Sequence, residues 1–267
     1  MYKISLNISL MVIFLFMAGL SFAKINPEDV EKGHVYLFED IKGKTVKDSS
    51  KSDFDATIRG APKSVKGING KALQFDGKSD TIHIPDSPNI NSGGPWTNRT
   101  IKVVFNCSDV SKSKKQNMYE EGGRTRGLCV YVFKGELYIG GWNRAEYNWA
   151  GAWISTPIKS NRWYEVALIL RDTKGAVEKD KFEMWLDGKL IGKEPGGQLH
   201  GHGDDIAIGS VIQNTVFHDE DGSGDGFFFE GLIDEVWILN EALTADDLKV
   251  RTVEPMDKLT ITWGTIK

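Results

Sequence analysis

The feature that most constrains this chain is alternation of apolar residues at every second position, repeated along its length and broken by tight-turn dipeptides. Phe182, Met184 and Leu186 alternate with Glu183, Trp185 and Asp187, and Asp187-Gly188 follows at once. Period two puts one set of side chains on a single face of an extended strand. Asp-Gly supplies the positive φ that a two-residue hairpin turn demands. The same pattern recurs at 128–133, Lys134-Gly135 and 136–139. Ile101, Val103, Phe105 and Cys107 share a face in 101–107. Shorter apolar-rich stretches at 34–38, 72–75, 81–84, 163–170, 206–208 and 232–239 complete a set of strands. Only Thr244-Ala-Asp-Asp-Leu248 reads as helical, with an N-cap hydroxyl and an acid three residues on, and it predicts one short C-terminal helix ending near Arg251. Many short strands with regular turns predict an antiparallel β-sandwich.

The first 23 residues have a different character. Lys3 precedes an apolar run from Ile8 to Leu20, and Ser21-Phe22-Ala23 has small residues where a signal peptidase reads. This is the pattern of a secretory leader, and the run is shorter than the roughly 20 residues needed to span a bilayer. The expectation is a secreted or extracytoplasmic protein cleaved after Ala23, with no membrane span in the mature chain. One domain then covers 24–251, and 252–267 is a tail or edge strand. With 33 Lys and Arg against 37 Asp and Glu, nothing favours nucleic acid as a partner. The two cysteines, Cys107 and Cys129, lie in strand-like stretches of an exported chain. A disulfide between them and two separate buried thiols are both open readings.

Four stretches together resemble a known family. Gly70-Lys-Ala-Leu-Gln-Phe-Asp-Gly77 with Ile82-His-Ile-Pro-Asp86, Arg162-Trp-Tyr-Glu-Val-Ala-Leu168, and 181–192 around Trp185-Leu-Asp-Gly-Lys-Leu-Ile191 are similar to successive strands of laminin-G-like domains. Phe229-Glu-Gly-Leu-Ile-Asp-Glu-Val-Trp-Ile-Leu-Asn-Glu-Ala-Leu-Thr244 resembles the family's closing motif most specifically. The resemblance covers roughly 33–251 and implies a concanavalin A-like jelly roll of two antiparallel sheets. It also implies that the first strand and the closing motif lie close together, so that Glu39 and Asp234 could share a structural calcium ion, with Asp76 a third candidate ligand. The superfamily spans lectins, adhesion modules and glucanases, so function has to come from the site.

Laminarinase-like members carry an E-x-D-x-x-E strand, whose alternation sets carboxylates on one face at the roughly 5–5.5 Å needed for retaining hydrolysis. This sequence has no such triplet, and catalytic residues are not expected. The segment 118–153 instead concentrates Glu121, Arg124, Arg126, Trp142, Trp149 and Trp153. Aromatic bodies flanked by polar and charged groups suit a sugar, offering faces to its apolar side and partners to its hydroxyls. The reading is a non-catalytic binding or adhesion module for carbohydrate or a glycoprotein surface. A glycoside hydrolase or polysaccharide lyase on the same fold and a protein-binding structural module are the alternatives.

Overall fold

The computed structural model describes residues 25–146, 148–224 and 226–248. The expected leader and the tail 252–267 lie outside the described residues. A 3₁₀ turn at Pro27–Asp29 is followed by β1 (Gly33–Tyr36), β2 (Ile41–Lys42), β3 (Thr45–Val46), β4 (Ala56–Arg59), β5 (Lys63–Lys66), β6 (Lys71–Asp76), β7 (Thr81–Ile84) and β8 (Arg99–Cys107). Then come β9 (Gln116–Gly122), β10 (Arg126–Phe133), β11 (Glu136–Asn143), β12 (Trp149–Pro157), β13 (Trp163–Leu170) and β14 (Glu178–Leu186). The chain closes with β15 (Lys189–Gly196), β16 (Ile206–Ile208), β17 (Asn214–Val216), β18 (Asp221–Ser223) and β19 (Glu230–Leu239).

Two large antiparallel sheets form the expected sandwich. One has the order β15-β14-β13-β8-β19-β6-β5, and β1 pairs with the second half of β19. The other, nine-stranded, has the order β12-β11-β10-β9-β16-β7-β4-β3-β2. Ile101, Val103 and Phe105 of β8 meet Leu128, Val130 and Val132 of β10 in the core between them. Burying such large apolar side chains contributes roughly 1.5–3 kcal/mol each. Asp187-Gly188 turns β14 into β15 and Lys134-Gly135 turns β10 into β11, both dipeptides at positive φ. β17 and β18 form a separate small hairpin, a flap over the outer face of the nine-stranded sheet. Among the described residues, no helix is long and apolar enough to cross a membrane.

Two expectations are corrected. The stretch 244–248 makes one capped turn rather than a helix within the described residues. Thr244 Oγ1 donates to Asp247 Oδ2 at 2.6 Å, and the Leu248 N–H reaches the Thr244 carbonyl at 3.2 Å. The cysteines are not bridged; both are free and buried. Cys107 belongs to the core between the sheets. Cys129 points the other way, beneath the flap with Tyr131 and Phe217, because its neighbours Leu128 and Val130 take the inner face. The body of the nine-stranded sheet therefore separates the two thiols. Burial raises the Cys107 thiol to about 11 and also pushes the Cys129 thiol well above its ordinary value.

Candidate glycan-binding face

The outer face of the nine-stranded sheet carries two of the residues read from the sequence, Trp142 and Trp153. One cross-strand row passes from Ala207 on β16 through Glu120 on β9, Cys129 on β10 and Gly140 on β11 to Trp153 on β12. A Cβ added at Gly140 would collide with the indole Nε1 edge of Trp153, and one at Gly151 with its six-membered ring. The indole therefore lies down over two glycines and remains partly exposed. Tyr138, also partly exposed, is two residues before Gly140 and pairs with Ser155 across to β12. Tyr138 stacks on Tyr131 with centroids 5.0 Å apart and on His218 of the flap at 4.4 Å.

The flap tip is held by side chains. Tyr131 Oη and His218 Nδ1 lie 2.7 Å apart, and Cys129 Sγ donates weakly to the Val216 carbonyl at 3.6 Å. Lys115 pairs with Asp219 at 2.9 Å and with Glu220 at 2.5 Å. Arg144 Nη2 lies 3.2 Å from Asp221 Oδ1. Beneath this cover are buried polar atoms with no hydrogen-bond partner among the described residues: both oxygens of Glu120, Thr215 Oγ1, Asn117 Oδ1 and Trp153 Nε1. Groups of this kind ordinarily find a partner in protein, water or ligand. Burial, and then Glu121, Asp204 and Asp205, push the Glu120 carboxyl well above the usual range, which favours its protonated form.

The structure divides the sequence-selected ligand residues. Trp153 is on the outer face and available. Trp142 is on the same face but fully buried, its Nε1 donating to the Gly123 carbonyl at 2.7 Å. Trp149 is turned into the core against Phe182, with ring centroids 5.9 Å apart. Glu121 also points inward. It forms a buried ion pair with Arg99, its Oε1 accepting from Nε at 3.2 Å and its Oε2 from Nη2, while His202 Nε2 lies 3.6 Å away. Burial raises the Glu121 carboxyl, but Arg99 and His202 more than offset that and leave it below its ordinary value. Arg126 is at the rim, bound to Glu146 and donating to the Gly201 carbonyl at 3.1 Å. Arg124 is exposed beside it. Sequence reasoning missed Tyr138. The glycines at 140 and 151, in strands where a side chain would normally pack, are the signal that marks its neighbourhood.

The predicted cation ligands divide as well. β19 changes neighbour from β6 to β1 midway, and Asp234 sits at the bulge where it does so. Asp234 Oδ2 accepts from the N–H of Ile68 at 2.6 Å and of Asn69 at 3.1 Å, and Glu39 Oε1 accepts from the N–H of Lys71 at 2.7 Å. Both carboxylates thus grip the turn between β5 and β6. A Cβ at Gly67 would strike Asp234, and one at Gly70, with φ +72°, would strike Glu39. Asp234 Oδ1 is buried without a partner. Burial outweighs the two N–H groups and, with the charges of Glu235 and Glu39, holds Asp234 up at about 6. Glu39 and Asp234 thus face one turn, and the charge of Glu39 helps to raise Asp234. Asp76 does not join them. It lies opposite Glu230 and caps its own turn, accepting from the N–H groups of Lys78, Ser79 and Asp80. Burial is outweighed there, and its carboxyl falls to about 2. Among the described residues no three His, Cys, Asp or Glu side chains converge as metal ligands.

Comparisons with known proteins agree with this architecture. A family model described as the concanavalin A-like lectin/glucanases superfamily matches residues 76–249. No curated protein matches the sequence significantly. Among solved structures, the binding domain of Paraclostridial Mosquitocidal Protein 1 superposes with a TM-score of 0.59 at 12% identity over 82% of this chain. Domain 4 of AbnA, a GH43 extracellular arabinanase from Geobacillus stearothermophilus solved with arabinotriose, gives 0.57 at 16% identity, covering 82% of this chain and 98% of that one. A botulinum neurotoxin DC binding domain in complex with SialylT gives 0.57 at 11% identity. The match spans about half the length of the toxin domains. At these identities the likeness is one of fold.

Proposed function

This chain belongs to the concanavalin A-like lectin/glucanases superfamily, and we propose that it is an exported, non-catalytic module that binds carbohydrate on the outer face of its nine-stranded sheet. The observation that carries this reading is the position of Trp153, laid flat over Gly140 and Gly151 with its ring partly open and Tyr138 beside it. An aromatic face at the surface, ringed by hydrogen-bonding groups, is what the apolar side of a pyranose or furanose needs. The solved complexes of two fold relatives, one with arabinotriose and one with SialylT, support a sugar ligand for the fold. Export is proposed on the leader-like residues 1–23. A structural calcium ion is proposed between Glu39 and Asp234, where its charge would neutralise two mutually repelling carboxylates.

One observation favours hydrolysis as the second reading. Burial and the charges of Glu121, Asp204 and Asp205 raise the Glu120 carboxyl, the direction a general acid needs. It is fully buried under the flap, however, and its chain neighbour Glu121 is spent on Arg99. A glycan-array screen of the chain, repeated with Trp153→Ala, tests the binding reading; undiminished binding by that variant removes Trp153 from it. Release of reducing ends that Glu120→Gln abolishes would replace binding with hydrolysis.

A further inference from the structure

Next to the platform, the loop between β8 and β9 and the flap enclose a groove of about 790 Å³. Its lining holds Lys78, Lys112, Lys114 and Lys115 against two carboxylates, Asp219 and Glu220. Lys112 pairs with Glu230, and Lys115 with those two acids. Lys78 and Lys114 are exposed, and among the described residues neither ammonium forms an ion pair. The result is local positive charge on a chain whose formal net charge is −4.

The floor of this groove is aromatic. Lys115 and Lys134 place their ammonium groups 4.5 and 4.7 Å from the centroid of Phe133. Phe227 and Phe228 are partly exposed along the opposite wall. Phe227 has φ 55°, a left-handed conformation that a bulky side chain adopts only when its surroundings impose it. It packs on Phe217 with centroids 4.8 Å apart. The groove is continuous with the platform, since Phe133 lies 5.9 Å from His218 and His218 lies 4.4 Å from Tyr138.

Solvated lysines alone would need no explanation. Unpaired ammonium groups beside an aromatic floor that runs through His218 to Tyr138 are chemistry for an anion attached to a sugar. We propose that this groove takes the anionic group of an acidic polysaccharide, a carboxylate or a sulfate ester, while ring faces of the same chain lie on Tyr138 and Trp153. Lysine suits this role as a point charge that follows a mobile anion without fixed bidentate geometry. The inference rests on the carbohydrate-binding reading above and adds the ligand class.

The test is titration of the full chain with a uronate-rich polysaccharide, a sulfated one and a neutral one, at low and high salt. It is repeated with the Lys78→Ala/Lys114→Ala double variant and with Trp153→Ala. Both lysines are exposed, so an unchanged melting temperature should certify the fold. Expected are preference for one anionic polymer by roughly tenfold or more, weakening with salt, and loss of that preference in the lysine variant. Which anionic polymer wins distinguishes carboxylate from sulfate. Equal binding of neutral and anionic chains, indifferent to the lysine change but lost with Trp153→Ala, overturns the groove and leaves the platform standing. Anionic binding lost with the lysines but kept by Trp153→Ala upholds the groove and removes the platform. Failure to bind any of the three overturns both.

Discussion

Glu120 and Glu121 are neighbours on β9 and face opposite sides of the same sheet, and the contrast between them is the contrast between its two faces. Glu121 looks inward to Arg99, which also donates to the carbonyl oxygens of Asn89 and Ile90. Every charge there has a counterpart. Glu120 looks outward, is equally buried, and has none among the described residues. The same division separates Trp149, packed in the core, from Trp153, half open four residues later. The inner face pairs its buried charges, although the Tyr119 hydroxyl and Trp149 Nε1 have no partner there among the described residues, whereas the outer face keeps a buried carboxyl with no counter-charge under a flap held by side chains. Unmet hydrogen-bonding capacity is costly for stability and useful for binding, so the outer face is where ligand chemistry belongs.

The largest effects should come from the inner face. Glu121→Ala leaves the Arg99 guanidinium buried without its counter-charge, and we expect a loss of about 3–5 kcal/mol in urea unfolding. Glu120→Gln exchanges one neutral hydrogen-bonding group for another and should leave the unfolding midpoint nearly unchanged. Equal losses at the two positions would break the comparison between faces.

Trp149→Ala opens a cavity in the packed core and should cost about 3–5 kcal/mol. Trp153→Ala removes a ring that already meets solvent, and its stability cost should be about 1 kcal/mol. The binding effects should run the other way, with Trp153→Ala weakening glycan affinity by about 1 kcal/mol or more. A stable Trp149→Ala variant that fails to bind would mean that Trp149, not Trp153, is the contact.

Thiol accessibility separates the faces without mutation. Cys107 and Cys129 should both resist alkylation in the native protein and both react once it is unfolded without reductant. Recovery of a linked Cys107–Cys129 peptide would contradict their placement on opposite sides of the nine-stranded sheet.

Much of this fold was legible because strand alternation and turn chemistry agree. Asp187-Gly188 and Lys134-Gly135 turn where their positive φ allows, and the stretches read at 72–75 and 81–84 lie in β6 and β7. The faces were not legible, because bulges reset the alternation. Trp149 and Trp153, four apart, should share a face. In β12, however, Ala150 and Gly151 together oppose one residue of β11, and the alternation flips between the two rings. Met118 is the extra residue of β9 against β10, and Asp234 marks the bulge in β19. All three irregularities fall at candidate sites. Within 118–153 the hairpin of β10 and β11 was legible from local alternation, whereas β9 and β12 were not, and the pairing of β16 against β9 joins residues far apart along the chain, which no local pattern reveals.

Asp234 gives a smaller effect with a definite sign. Its folded carboxyl is raised to about 6, above the roughly 3.9 of an unfolded Asp. In chelator, the folded state therefore binds the proton more tightly than the unfolded state, and the stability this supplies is lost as pH rises from about 4 through 6. Calcium reverses the preference, because it binds the ionised carboxylate. The melting-temperature gap between calcium and chelator should then widen from pH 5 to pH 7, with a stabilisation of about 2.7 kcal/mol at one hundred times Kd. Asp76 and Glu183, both lowered to about 2, titrate below this window and do not obscure it. Asp234→Asn should flatten the pH dependence and remove the calcium response together, because one carboxylate underlies both. Should the variant be the more stable protein at pH 7 in chelator, while wild type ignores calcium at every pH, Asp234 is a buried acid capping the 67–70 turn and holds no ion.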